Sequence, residues 1–175
     1  MKNQQVTGCW VTDFPELKVY HHKLNLSTLN FCTEFFLVRR DSANFSQNSL
    51  PLCNICPNQL QDSLSHSFFN CLKNSEASQF LLHLTRVYSP HVTPDQVLKL
   101  QIKTDALYEL PTTLVLCTGL ELIWRNRKAK KSTSLYETRA ELECLVVSLR
   151  KSRPRGLREA SSIIQNTLEN FPFPN

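Results

Sequence analysis

Glycine is scarce in this chain, with three in 175 residues. A loop that cradles phosphate through its backbone needs several glycines, and a turn-dense all-β fold needs more still, so both are excluded. No apolar run follows Met1, so neither a secretory signal nor a membrane span is expected, and the chain reads as intracellular, in nucleus or cytoplasm. Away from an oxidising compartment, seven cysteines point to reduced thiols and metal ligands rather than to disulfides. Acids are missing from one region in particular: between Arg125 and Arg158, eleven lysines and arginines stand against three acids, Glu137, Glu141 and Glu143. Such a tract suits either a polyanionic partner or the solvated face of a basic protein. Hydrophobic residues make up 41% of the chain, enough for one domain with a core of its own.

The chemistry concentrates between Leu52 and Cys71, in LCNICPNQLQDSLSHSFFNC. Cys53 and Cys56 are two residues apart, nine residues separate Cys56 from His66, and four more lead to Cys71. Two thiolates across a two-residue gap can grip one ion from a tight turn, and the His and Cys can face the same ion from a second. Three thiolates and one imidazole complete a tetrahedral shell, the closed arrangement of a structural zinc site. The residues between the ligands are mainly polar and turn-forming, so a loop of this composition has no other evident means of staying folded. Zinc is therefore the expected cofactor, in a Cys-Cys-His-Cys order, with Cys53, Cys56, His66 and Cys71 as the metal ligands. Cys9, Cys32, Cys117 and Cys144 sit among apolar residues and read as core fillers.

Around this stretch the patterns are helical, and the fold class they imply is mainly α, a helical domain with a small zinc-stabilised loop or hairpin. Residues 1–26 form an N-terminal segment with no clear pattern, and the adjacent His21 and His22 read as surface or partly packed residues. Residues 27–49 hold a well-buried helix and a linker, and residues 50–75 the zinc-binding segment. Residues 76–152 form the helical domain, and residues 153–175 a last helix and tail. Phe80, Leu81, Leu84, Val87 and Tyr88 predict one face of a helix from about Ser75 to Tyr88. Thr93-Pro94-Asp95-Gln96 is a capping box that starts another. Leu110-Pro111 should break that element, with Thr112 or Thr113 capping a core helix through Trp124 that then turns abruptly basic. Ser134 and Glu137 form a second capping box, ahead of a helix ending near Arg150.

Cys53-x-x-Cys56 followed by Asp62-Ser63-Leu64-Ser65-His66-Ser67-Phe68-Phe69-Asn70-Cys71 resembles the zinc-binding segment that follows the polymerase in reverse transcriptases of non-LTR (LINE-type) retrotransposons. Leu122-Ile123-Trp124-Arg125-Asn126 is similar to a Trp-containing helix downstream in those proteins. The resemblance spans about residues 25–150. Pro57 stands where the family often has Gly, and Asp62 where Glu is commoner. The adjacent aspartates of the polymerase metal site have no counterpart in this sequence, so the resemblance is to a C-terminal, non-catalytic piece of such a protein. It implies a segment that helps hold template RNA or target DNA.

Two functions fit these observations. One is a zinc-stabilised module that binds RNA or DNA with weak sequence selectivity, in which Arg125, Arg127, Lys128, Lys130 and Lys131 meet phosphates. Phe68 and Phe69 would either stack on bases or pack beneath the zinc loop. The alternative is a zinc-pinned helical scaffold for a partner protein. Enzymatic chemistry is not expected, because a catalytic zinc keeps one coordination position open and here four donors close the shell.

Overall fold

The structure, a computed structural model, describes residues 52, 53, 55, 56, 63, 65–98 and 102–171. The helix expected within residues 27–49, His21, His22, Cys9 and Cys32 lie outside these. Among the described residues the fold is mainly helical and contains no strand. A short π-helical turn at His66–Asn70 leads into five helices: α1 (Ser75–Tyr88), α2 (Pro94–Leu98), α3 (Ala106–Lys128), α4 (Leu135–Arg150) and α5 (Arg155–Glu169).

α3 is the axis of the bundle. It packs against α1, α4, α5 and the π-helical turn, while α4 and α5 pack on one another and α1 touches both. Its apolar residues surround it for most of its length, as a helix enclosed on several sides requires. Leu114, Val115, Leu116, Leu120, Leu122 and Ile123 are all buried. In length and mean hydropathy (1.3) α3 could also cross a bilayer, but 61% of that stretch is buried inside the bundle, which marks a core helix.

The proline expected to interrupt the chain does not. α3 begins at Ala106, after an N-cap at Asp105, and continues through Pro111. Proline cannot donate to the carbonyl four residues back, and here that carbonyl belongs to Leu107, which is 60% exposed. The bond is lost in the second turn, beside an exposed residue, where it costs less than one lost in the buried middle of the helix.

The other boundaries follow local chemistry. Thr93 and Gln96 form the reciprocal bonds of a capping box, the Thr93 amide donating to Gln96 Oε1 at 2.9 Å and the Gln96 amide to Thr93 Oγ1 at 3.3 Å. Ser134 and Glu137 do the same at the start of α4, and α4 ends at Arg150. α1 runs as expected, but Val87, placed on its apolar face by spacing, is 55% exposed in the last turn, and the buried surface instead wraps over Ala77, Ser78 and Leu82. Cys117 is half-buried and Cys144 exposed, so neither is a core filler. Cys144 follows Leu142 by two residues, about 200° around the helix, which turns it to the solvent side.

α1 and α3 meet closely at Gly119. A Cβ there would stand 2.3 Å from Leu81 Cδ2 and 2.9 Å from Leu81 Cγ, and Leu81 is fully buried. Gly119→Ala should therefore destabilise the protein. Overpacking costs about 1–3 kcal/mol, of which the better helix propensity of alanine returns at most about 1 kcal/mol. Urea denaturation followed by circular dichroism measures the difference, and a stabilised variant would show that α1 and α3 can move apart freely.

Candidate metal centre

The four residues singled out by spacing converge. Cys53, Cys56, His66 and Cys71 are all buried, and their ligand atoms lie within 4.8 Å of one another. Cys56 Sγ is 3.4 Å from His66 Nε2, and Cys53 Sγ is 4.0 Å from Cys71 Sγ. A tetrahedron with metal–sulfur bonds of about 2.3 Å and metal–nitrogen bonds of about 2.0 Å has edges of roughly 3.5–3.8 Å. The 3.4 and 4.0 Å pairs lie close to those edges, while the widest spacing in the cluster, 4.8 Å, is longer; the 4.0 Å between the Cys53 and Cys71 sulfurs is far too long for a disulfide, whose sulfurs sit about 2.05 Å apart. The residues present can hold a metal ion.

Each ligand is placed by its own local structure. Ser63 starts the π-helical turn: the His66 amide donates to Ser63 Oγ at 3.1 Å, and the Ser67 amide donates to the Ser63 carbonyl at 2.8 Å. That fixes His66 at the head of the turn, with Nε2 toward the sulfurs. Phe68 and Phe69, which follow, are buried. Phe68 lies near-parallel to Trp124 of α3, with ring centroids 6.2 Å apart and an interplanar angle of 16°. Of the two uses open to these phenylalanines, packing beneath the loop is the one the structure displays.

Cysteine thiolates need hydrogen-bond donors, and the loop supplies them. Burial pushes the Cys53 thiol up, but the Ile55 amide, the Arg127 guanidinium, the Cys56 amide and His66 more than offset it, leaving Cys53 at about 6. Amides two and three residues past a cysteine can reach back to its sulfur only if the chain folds into a tight turn, so the C-x-x-C spacing supplies its own donors. Cys71 lies on the other side of the balance. Burial raises it, the Lys73 amide lowers it only partly, and the Cys53 charge raises it again, to about 11.

The basic residues divide. Arg125, Lys128, Lys130 and Lys131 are exposed. Arg125 makes a surface ion pair with Glu141 at 3.1 Å, and Lys128 Nζ lies 5.6 Å from the Trp124 ring centroid. Arg127 does not belong with them. It is 5% exposed and its Nη1 donates to Cys53 Sγ at 3.5 Å. The reason is helical geometry: Arg127 is one turn beyond Trp124 and shares its inward face, whereas its neighbours in the run point away.

Residues with no motif signature complete the site. Asn74, fully buried, donates through Nδ2 to the Ser67 carbonyl at 3.1 Å and accepts the Thr133 amide on Oδ1 at 3.0 Å. Asn126 Nδ2 donates to Thr133 Oγ1 at 3.3 Å. Ser78 donates to the carbonyls of Phe68 and Asn74. Asn74 thus ties the turn carrying His66 to the loop after α3. Its placement three residues past the last ligand was a weak signal in the sequence; Thr133 had none.

Two outcomes are expected. Removing the metal with a chelator, or the substitution Cys56→Ser, should raise hydrogen exchange first around the ligands and the π-helical turn, with the amides of α3, α4 and α5 losing less. Structural metal sites contribute on the order of 10 kcal/mol, and equal loss of protection everywhere would show that the bundle has no stability of its own. Second, metal affinity should rise with pH. At neutral pH Cys53, at about 6, is already a thiolate, whereas Cys71, at about 11, keeps its proton and must release it to bind. Each proton released makes affinity climb about tenfold per pH unit, and competitive titration over roughly pH 6.5–8 reads the slope.

Compared with models of protein families, with curated proteins and with solved structures, the chain matches none of them.

Proposed function

We propose that this chain is a zinc-stabilised helical module that binds RNA or DNA through its backbone phosphates, with weak sequence selectivity and no catalytic role. The observation that carries the proposal is the exposed cation group Arg125, Lys128, Lys130 and Lys131 at the C-terminal end of α3, in the segment that the buried Asn74 fastens to the candidate metal centre. Zinc is the ion best suited to three thiolates and one imidazole in a closed tetrahedron. The order of the ligands and the Trp124 helix agree with an origin in the C-terminal part of a non-LTR retrotransposon reverse transcriptase, where such a segment is implied to hold nucleic acid.

Backbone geometry adds support. α3 ends in a Schellman motif: the Lys130 amide donates to the Arg127 carbonyl at 2.9 Å and the Lys131 amide to the Asn126 carbonyl at 2.8 Å. This motif needs a left-handed residue, usually glycine, yet Lys130 occupies it with φ 57°. Holding a lysine there costs about 1 kcal/mol relative to glycine. The strained position thus carries a positive charge on the exposed surface, beside Lys131 and Lys128.

Affinity for single-stranded RNA or duplex DNA should fall steeply with salt, with a log–log slope of about −3 to −4 if all four cations engage phosphates. Lys130→Gly should separate the two demands on that residue, raising stability by about 1 kcal/mol while reducing the magnitude of the slope by about one unit. An affinity unchanged by salt would sink the nucleic-acid reading. It would favour the scaffold alternative, for which exposed Leu52 and Leu72, each next to a ligand in the chain, offer apolar surface. Metal analysis of the purified protein is expected to give one zinc per chain.

A further inference from the structure

A divalent ion held by three thiolates and a neutral imidazole carries one surplus negative charge. Buried charge is costly unless it is paired. All four candidate ligands are buried, so the surplus has to be met within the protein. Among the described residues the structure places Arg127 against the cluster: it reaches Cys53 Sγ from α3 although 74 residues separate them in the chain. Arginine is rarely this buried without a charge partner, and its planar fork suits a thiolate that already accepts the amides of Ile55 and Cys56. One helical turn earlier, Trp124 packs on Phe68. The end of α3 therefore grips the metal loop at an apolar point and a charged point on the same face.

We propose that Arg127 is a positioning residue of the metal centre: it neutralises the surplus negative charge through the Cys53 sulfur and so sets how tightly the ion is held. This rests on the metal reading above. It removes Arg127 from the nucleic-acid surface and gives it a distinct task, as the link between that surface and the ion. Partners lying just outside a metal's ligands commonly change affinity by about 10–100-fold.

The test is cobalt(II) titration of the full chain at fixed pH, with a competing chelator, for wild type, Arg127→Gln and Arg127→Lys, and for the same Gln change in a Cys56→His background. Arg127→Gln is expected to weaken cobalt binding by about 10–100-fold and to shift the sulfur-to-cobalt charge-transfer band, while Arg127→Lys recovers most of the affinity. In the Cys56→His background one thiolate charge is already gone, so Arg127→Gln should cost little. A loss of the same size in both backgrounds would reduce Arg127 to packing and overturn the proposal, as would a Gln variant that binds like wild type. If Arg127→Gln lacks helical circular dichroism, Arg127→Lys decides: a loss below about tenfold supports charge neutralisation, and a larger one overturns it. Wild-type protein that takes up no cobalt overturns the metal reading itself, a result distinct from the others.

Discussion

Four soft donors meeting at one buried point is the constraint to which the rest of this structure answers. The loop around Cys53 and Cys56 has little apolar content with which to hold itself, and the π-helical turn is too short to be stable alone. Bringing three sulfurs and an imidazole together concentrates negative charge and unmet hydrogen-bonding capacity in a dry place. Around the cluster, amides fold back onto the sulfurs, an arginine is drawn in from α3, and an asparagine ties the turn to the loop after α3. The helical bundle supplies a rigid wall against which the response is built.

That wall has a particular face. Trp124 and Arg127 point inward at the end of α3, and Arg125 and Lys128 point outward. A run of cations in a sequence invites a single function for all its members. On a helix the run is divided by geometry every few residues, and the inward member lands in an environment where its charge has a different use. The exposed members gain from the division, since they flank a residue fixed by a buried contact and so sit on a firm platform.

Much of this was legible in the sequence, and the reasons are local. The convergence of Cys53, Cys56, His66 and Cys71 could be read because a site able to hold a metal restricts both residue type and spacing. The capping boxes at Thr93 and Ser134 could be read because their bonds form within four residues. α1 was marked by apolar spacing. What escaped depended on distant surroundings. Pro111 stays inside α3 near an exposed stretch of the helix, where Leu107 lies on the surface, a fact about burial rather than sequence. Arg127 was grouped with its neighbours because its partner, Cys53, lies on another element. Cys144 sits between two buried leucines in sequence but on the opposite side of its helix, where the helical period puts it.

The distance along the chain between Cys53 and Arg127 also bears on the order in which the molecule assembles. α3, α4 and α5 are consecutive and pack against one another, so their contacts close short loops and can form early. The cysteine turn can meet the guanidinium only after the end of α3 has been placed, across a loop several times longer. The contact between the Arg127 guanidinium and the Cys53 sulfur is therefore a late event, built on a bundle already collapsed. A chain still emerging from the ribosome would present the thiols of Cys53 and Cys56 well before Arg127 has been made.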